Sequence, residues 1–137
     1  MKKTLTLVLA LAVGIAMGAL GAPVLNAQQQ QIKRAILLKH DVTGFENREG
    51  DVLEVVLPPG AEVGWHHHPG QEFLYAVEGS GVQQYKDKPA DALKAGAAYY
   101  RGAEEVHNIQ NTGTTPLRII GFLVSEKGKP LLIPDKP

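Results

Sequence analysis

The sequence predicts an all-β fold, a sandwich or a barrel, for a single small domain. After residue 31 the chain consists of short apolar segments about ten residues apart, which glycine, proline and asparagine separate. No stretch in this part has a helical period of useful length. The 137 residues include no cysteine, so the hydrophobic core must stabilise the fold without disulfides.

Eight segments with their turns supply the predicted strands, and they define one domain over residues 32–126. In order they read AILLKH, DVLEVVLPPG, EFLYAVEGSG, GVQQYKD, ADALKAG, AAYYRG, EVHNIQNTG and PLRIIGFLVSEKG. The GSG of residues 79–81 is interpreted as a hairpin turn and not as a nucleotide-binding loop. Prolines interrupt residues 127–137, which predicts an extended tail lying over the domain.

Residues 1–27 are typical of a secretory signal peptide. Two lysines precede an uncharged apolar run, and small residues follow it up to Ala27, the best cleavage site. An uncleaved membrane anchor is the alternative, but the run is slightly short for a span and rich in glycine and alanine. We therefore expect a periplasmic or secreted protein that is free of the membrane after cleavage and begins with a disordered polar run at residues 28–31.

The charge of the expected mature chain argues against a polyanionic partner. Cleavage removes two of the 14 basic residues and none of the 14 acidic ones, which leaves a net charge of −2. No basic excess remains to attract nucleic acid. The chemistry of the protein must therefore be sought in a local group of residues.

The run WHHH at residues 65–68 is the most informative stretch of the chain. Neighbouring side chains of a strand point to opposite faces, whereas residues two apart share a face. His66 and His68 can therefore point into the barrel together, while Trp65 and His67 point outward. We predict that His67 lies at the rim and binds no metal.

Two further residues complete a candidate metal site with His66 and His68. Glu72 follows a turn at Pro-Gly, and His107 lies in a distant strand, whereas His40 is interpreted as a surface residue. Three imidazole nitrogens and one carboxylate oxygen suit Fe(II), Mn(II), Ni(II), Cu(II), Co(II) or Zn(II) and leave positions open for water or substrate. The alternative is a polar pocket without a tightly bound metal.

These residues resemble the two conserved motifs of the cupin superfamily. The first motif is Gly, five residues, His, one, His, three or four, Glu, six, Gly, and every spacing is satisfied. It falls on Gly60, His66, His68, Glu72 and Gly79. The second is Gly, five residues, Pro, one, Gly, two, His, three, Asn. It falls on Gly96, His107 and Asn111, with Gly102 and Glu104 at the proline and glycine positions.

The resemblance implies a double-stranded β-helix of the jelly-roll type, with the metal at the barrel centre and a homodimer as the assembly. By this resemblance the chain is similar to the quercetinase-type dioxygenases, which share its candidate ligand set. We therefore expect a metal-dependent, dioxygenase-like enzyme for a small oxygen-rich substrate, with Glu72 as a catalytic base. The alternatives are a non-catalytic module that binds a small molecule or a metal, and a metal-dependent lyase or isomerase.

Strand parity also sorts the residues that follow Glu72. Leu74 and Ala76 share its inward face, while Phe73, Tyr75 and Val77 form an apolar outer face that needs cover. The N-terminal strand or a second copy of the chain could supply the cover, or these residues could pack only within the protomer. Asn111 is expected to hold the backbone of a turn. Further pocket candidates, each with an ordinary role as core or loop, are Trp65, Tyr99, Tyr100, Arg101, Glu104 and Glu105.

Overall fold

A computed structural model describes residues 31–136. The predicted signal peptide and residues 28–30 of the polar run lie outside the described residues. Within residues 31–136 the structure has ten β-strands and no helix, and hence no helix that could cross a membrane. The strands are β1 (Lys33–Asp41), β2 (Arg48–Leu57), β3 (His66–His67), β4 (Gln71–Glu78), β5 (Ser80–Tyr85), β6 (Asp91–Lys94), β7 (Ala98–Arg101), β8 (His107–Gln110), β9 (Leu117–Glu126) and β10 (Ile133–Pro134).

The strands form two five-stranded antiparallel sheets, which confirms the predicted all-β jelly roll. The first sheet has the order β1-β2-β9-β4-β7 and the second has the order β10-β3-β8-β5-β6. From β2 to β10 the chain crosses repeatedly between the two sheets, and only β5 and β6 are consecutive strands of the same sheet. The inner faces of the sheets therefore come from segments far apart in sequence.

The period-two alternation of the strands builds the core. On β9, Leu117, Ile119 and Leu123 point inward and are at most 2% exposed. Leu57 of β2 and Leu74 of β4 join the buried set, and each fully buried side chain of this size contributes about 2 kcal/mol. As predicted, Ala76 shares the inward face with Leu74 and is completely buried.

Gly79 is a corner between the sheets and not part of a hairpin. It is the one residue between β4 and β5, which pair with different neighbours in different sheets. Its φ is +81°, and a Cβ at this position would lie 2.3 Å from the carbonyl oxygen of Pro116. The hairpin interpretation of GSG is therefore wrong, because the glycine serves a sharp crossing where no side chain fits.

Asn111 confirms its predicted role in holding the backbone. The residue is completely buried, and its Nδ2 donates to the carbonyl oxygens of Leu57, at 2.8 Å, and Thr115, at 2.9 Å. Its Oδ1 accepts from the backbone N–H of Gly113 at 2.9 Å. The side chain thereby joins the end of β2 to the turn between β8 and β9.

The outer face of the first sheet carries an apolar patch that the described chain does not cover. Its members are four aromatic side chains that are 41–54% exposed. They are Phe73, Tyr75, Tyr100 and Phe122. The N-terminal strand does not supply the cover, because β1 pairs with β2 as an edge strand of the same sheet. That alternative is wrong, and no other segment of residues 31–136 covers these side chains.

Candidate metal centre

Two adjacent strands of the second sheet bring three histidines together. His66 begins β3, His68 follows this strand, and His107 begins β8, where it pairs directly with His66. The three residues are 4%, 7% and 0% exposed. They offer ring nitrogens that all lie within 4.8 Å of one another, so the group could hold a metal ion.

A hydrogen bond to a backbone carbonyl orients each of the three rings. His66 Nδ1 lies 2.7 Å from the Gly64 oxygen, and His107 Nδ1 lies 2.8 Å from the Glu105 oxygen. His68 Nδ1 contacts the carbonyl oxygen of Leu131 in the C-terminal segment. Because a carbonyl can only accept, each Nδ1 is the donor and each Nε2 keeps its lone pair.

The histidine group fits a metal ion by its chemistry as well as by its spacing. His107 Nε2 is buried and has no hydrogen-bond partner within residues 31–136. An unpaired buried acceptor is costly, and coordination of a cation would satisfy it. A divalent transition metal held there by three imidazole nitrogens would keep open positions and act as a Lewis acid toward an oxygen ligand.

Burial keeps the three imidazoles neutral, the form that binds metals. Loss of hydration lowers the pKa of His66 to about 4 and that of His107 to about 2, and the positive charge of Arg101 acts in the same direction. Burial also lowers the pKa of His68, although the nearby Glu72 carboxylate opposes this shift. No proton therefore competes with a cation at neutral pH.

Glu72 lies beside the histidine group but is engaged with another partner. Its Oε2 is 3.4 Å from His68 Nε2 and forms a buried ion pair with Arg101 Nη2. The two residues face each other across β4 and β7. Gly121 of β9 makes room for the carboxylate, since a Cβ there would lie 2.6 Å from Glu72 Oε1. The roles of Glu72 as fourth ligand and as catalytic base stay predictions.

Arg101 is the residue whose importance the sequence does not reveal. The pattern makes it one pocket candidate among six, with no role. The structure buries it to 2% exposure and leaves Nε and Nη1 without a hydrogen-bond partner in the described part of the chain. Its place on the inner face follows from strand parity, but its pairing with Glu72 depends on a register that one sequence does not contain.

The polar group stands at the side of a largely apolar cavity of about 300 Å³. His66, His68, Glu72 and Arg101 contribute to its wall, and Arg34 of β1 adds a second arginine. The apolar part of the wall is formed by Ala35, Ile36, Leu53, Val55, Val63, Leu74, Ile109, Ile119, Leu131 and Leu132. The cavity therefore combines nitrogen ligands and a buried guanidinium with an apolar space.

His67 lies apart from the group, as predicted, and ties two segments of the rim together. Its Nε2 is 3.3 Å from a carboxylate oxygen of Glu104, and its Nδ1 is 3.2 Å from one of Asp135. Glu104 has a φ of +64°, a left-handed conformation that explains why glycine suits this motif position. In the segment predicted as a tail, β10 pairs with β3 beside these contacts.

The remaining pocket candidates lie outside the cavity wall and have ordinary roles. The Tyr99 hydroxyl donates to the Ala92 carbonyl at 2.8 Å, and Tyr100 belongs to the exposed aromatic patch. Glu105 forms an ion pair with Lys88, and Trp65 is half-buried. His40 is exposed on β1, as the sequence predicts.

Comparison with known proteins agrees with this architecture. The model of the cupin domain matches residues 53–124, more than half of the chain. The chain belongs to the cupin family. This cupin is 39% identical to the oxalate-binding protein of Thermotoga maritima over an alignment of 97 residues. The alignment covers 69% of this chain and 76% of the relative.

Solved structures show the same fold at low sequence identity. A Klebsiella pneumoniae protein with a double-stranded β-helix domain is 23% identical, with a TM-score of 0.61, over 78% of this cupin and 87% of that chain. A polyketide cyclase from Streptomyces resistomycificus is 17% identical, with a TM-score of 0.61, over 79% and 73%. At these identities the likeness concerns the fold alone, since one fold hosts many chemistries.

Proposed function

We propose that this cupin is an exported protein that binds a divalent transition metal and, through that metal, a small oxygen-rich carboxylate. The observation that carries the proposal is the convergence of His66, His68 and His107, with neutral rings and free Nε2 atoms, beside a cavity. Oxalate is the first candidate ligand because the relative from Thermotoga maritima is an oxalate-binding protein.

The cavity favours binding over turnover. The buried charged groups of its wall are Glu72 and Arg101, and these neutralise each other. Arg34 and Glu54 also line the cavity, but Arg34 is exposed and Glu54 pairs with Arg118. The rest of the inner wall is apolar, and Arg101 does not release a proton at physiological pH. A proton donor or acceptor that could drive a reaction must therefore be Glu72 itself.

A dioxygenase-like, lyase or isomerase reaction is the second candidate. The observation that favours it is the 3.4 Å distance between Glu72 Oε2 and His68 Nε2. A carboxylate at this place could take a proton from a ligand bound beside the histidines, once its pairing with Arg101 is broken. This candidate requires Glu72 to leave Arg101 and contact the ligand, whereas simple binding does not.

The two candidates differ in what happens to the ligand. Protein purified without an affinity tag is loaded with Fe(II), Mn(II) or Ni(II) and mixed with oxalate, catechols, flavonols and diketones. Binding predicts a ligand-dependent rise in the free energy of unfolding, about 2.7 kcal/mol at a hundredfold excess over Kd, with no consumption of ligand or O₂. Consumption would establish the second candidate, and the absence of both effects would contradict the whole proposal.

We also propose that two copies associate through the exposed aromatic patch of the first sheet. Four aromatic side chains, each more than two-fifths exposed, lie together on one face. Phe73 is cross-strand neighbour to both Tyr100 and Phe122, so the patch is contiguous. Patches of this kind mark association surfaces, and a self-complementary contact between identical faces closes into a dimer.

A further inference from the structure

We propose that Arg101 is the residue that recognises the carboxylate of the ligand, and that the ligand is a 2-oxo or 2-hydroxy acid with an apolar body. The inference deepens the proposed function and rests on it for the position of the metal. It assigns a role to the one buried cation of the cavity. It also uses the apolar space that oxalate, a dicarboxylate of only two carbons, would leave empty.

The hydrogen-bonding state of Arg101 points to a missing partner. Arg101 is 2% exposed, yet only its Nη2 has a hydrogen-bond partner among the described residues, the Glu72 carboxylate. Nε and Nη1 are buried donors without acceptors. Buried donors left unpaired are costly, and a guanidinium matches the oxygen atoms of a carboxylate in geometry and charge. Because Arg101 also lines the cavity, a bound acid would have access to it.

The charge balance of the cavity points the same way. Without a metal, Glu72 compensates Arg101, while Arg34 lies exposed at the wall. Glu54, the other acidic residue of the wall, is paired with Arg118 at 2.7 Å. Arg101 lines the same cavity as His66 and His68. A divalent cation there would leave an excess of positive charge that an anionic ligand balances.

The apolar wall defines the rest of the ligand. Ile36, Leu53, Val55, Leu74 and Ile119 line a cavity of about 300 Å³, more than a two-carbon acid requires. Binding of an apolar chain removes this surface from water, and each buried methylene strengthens binding about fourfold. A branched or aromatic 2-oxo acid therefore matches both Arg101, through its carboxylate, and the apolar wall, through its side chain.

Calorimetric titration of the Mn(II)-loaded protein tests the role of Arg101. The probes are 4-methyl-2-oxopentanoate, its uncharged methyl ester and the shorter acid pyruvate. Wild-type protein should bind the acid at least tenfold more tightly than the ester, and more tightly than pyruvate. Arg101→Met should weaken binding of the acid about 10- to 100-fold and leave the ester unchanged. Arg48→Met, the same change at an exposed position of β2, is the matched control.

A second pair of variants keeps the test valid if Arg101→Met alone does not fold. One variant carries Glu72→Gln alone, and the other carries both Glu72→Gln and Arg101→Met. The two variants differ only in the guanidinium, and the double variant buries no unpaired charge. The preference for acid over ester should disappear in the double variant. Equal losses for acid and ester, retention of the preference, or no binding of the acid would overturn the proposal. If pyruvate bound more tightly than 4-methyl-2-oxopentanoate, the inference that the ligand has an apolar body would be wrong.

The dependence of binding on the metal tests the proposed function separately from the role of Arg101. If the metal plays no part, binding of 4-methyl-2-oxopentanoate is the same in EDTA as in Mn(II). The difference between acid and ester in the Arg101 variants still decides the role of this residue under those conditions. The two conclusions therefore fail on separate readouts.

Discussion

At the scale of single residues, the site depends on rings that are fixed before any ligand binds. Each of the three histidines donates from Nδ1 to a carbonyl of a different segment, at residues 64, 105 and 131. The donor contacts determine the tautomer and leave the three Nε2 atoms as the nitrogens with free lone pairs. The cost of this arrangement is that three imidazoles must stay neutral in the interior.

That cost predicts an acid-sensitive metal-free protein. The pKa of His66 is about 4 in the folded protein, against an ordinary value of 6.5, and that of His107 is lower still. Between pH 4 and pH 6.5 the His66 of the unfolded chain binds more protons than that of the folded protein. Its contribution to the free energy of unfolding is therefore fully present above pH 6.5 and is lost as the pH falls. His66 alone accounts for a loss on the order of 3 kcal/mol by pH 4.

Urea denaturation in EDTA between pH 7 and pH 4 measures this effect. The free energy of unfolding should fall steadily with pH, and His66→Gln should remove part of the slope. Equal free energies of unfolding at both ends of the range would show that burial of the rings carries no such cost.

The ion pair between Glu72 and Arg101 leads to a second prediction at this scale. Both side chains are buried, so removing either partner leaves an uncompensated charge in the interior and costs about 3 kcal/mol. Glu72→Gln and Arg101→Met together should cost clearly less than the sum of the two single changes. A double-mutant cycle by chemical denaturation gives the coupling energy, and additive costs would contradict a functioning pair.

At the scale of elements, the C-terminal segment belongs to the site. β10 pairs with β3, the carbonyl of Leu131 orients His68, and Asp135 contacts His67. Leu131 and Leu132 also line the cavity. A segment near the end of the chain therefore positions one histidine and closes part of the wall.

Removal of this segment should weaken metal binding without unfolding the barrel. A chain that ends at Pro130 loses the acceptor for His68 Nδ1, and we expect a 10- to 100-fold loss of Zn(II) affinity. A chain that ends at Asp135 keeps β10 and serves as the control. Competition titration with a chromophoric chelator gives both affinities, and equal values for the two chains would mean that the segment does not support the site.

How much of these elements the sequence predicts depends on the length of the pattern. The eight predicted segments correspond to β1, β2 and β4 to β9, each of which has at least four residues. β3 and β10 have two residues each, too few for any period. Parity predicts the inward placement of His66 and His68, which are both buried, because it needs only the local chain. The pairing of Glu72 with Arg101 and the crossing at Gly79 depend on which strands are neighbours, and this is a property of the fold.

At the scale of the whole molecule, the two sheets differ in what their outer faces expose. The first sheet exposes Phe73 at 51% and Tyr100 at 54%, with their rings 5.3 Å apart. β1, at one edge of the same sheet, is exposed along its whole length. A second copy placed on this face would bury apolar surface that residues 31–136 of a single protomer leave in water.

The proposed dimer should therefore dissociate when a charge is placed in the patch. Phe73→Lys introduces like charges at the contact of two identical faces and should yield monomers, whereas Thr43→Lys, in an exposed loop, should not. Sedimentation velocity over a range of protein concentrations distinguishes the species. A wild-type protein that stays monomeric throughout would contradict the dimer.

The metal content per chain is the decisive measurement, because both candidates under the proposed function require the three histidines to hold a cation. Wild-type protein and the variants His107→Ala and His40→Ala are purified without an affinity tag, equilibrated with the same divalent metal and desalted. Elemental analysis should find about one metal ion per chain in the wild type and in His40→Ala, and almost none in His107→Ala. An unchanged content in His107→Ala would show that the three histidines do not hold the metal.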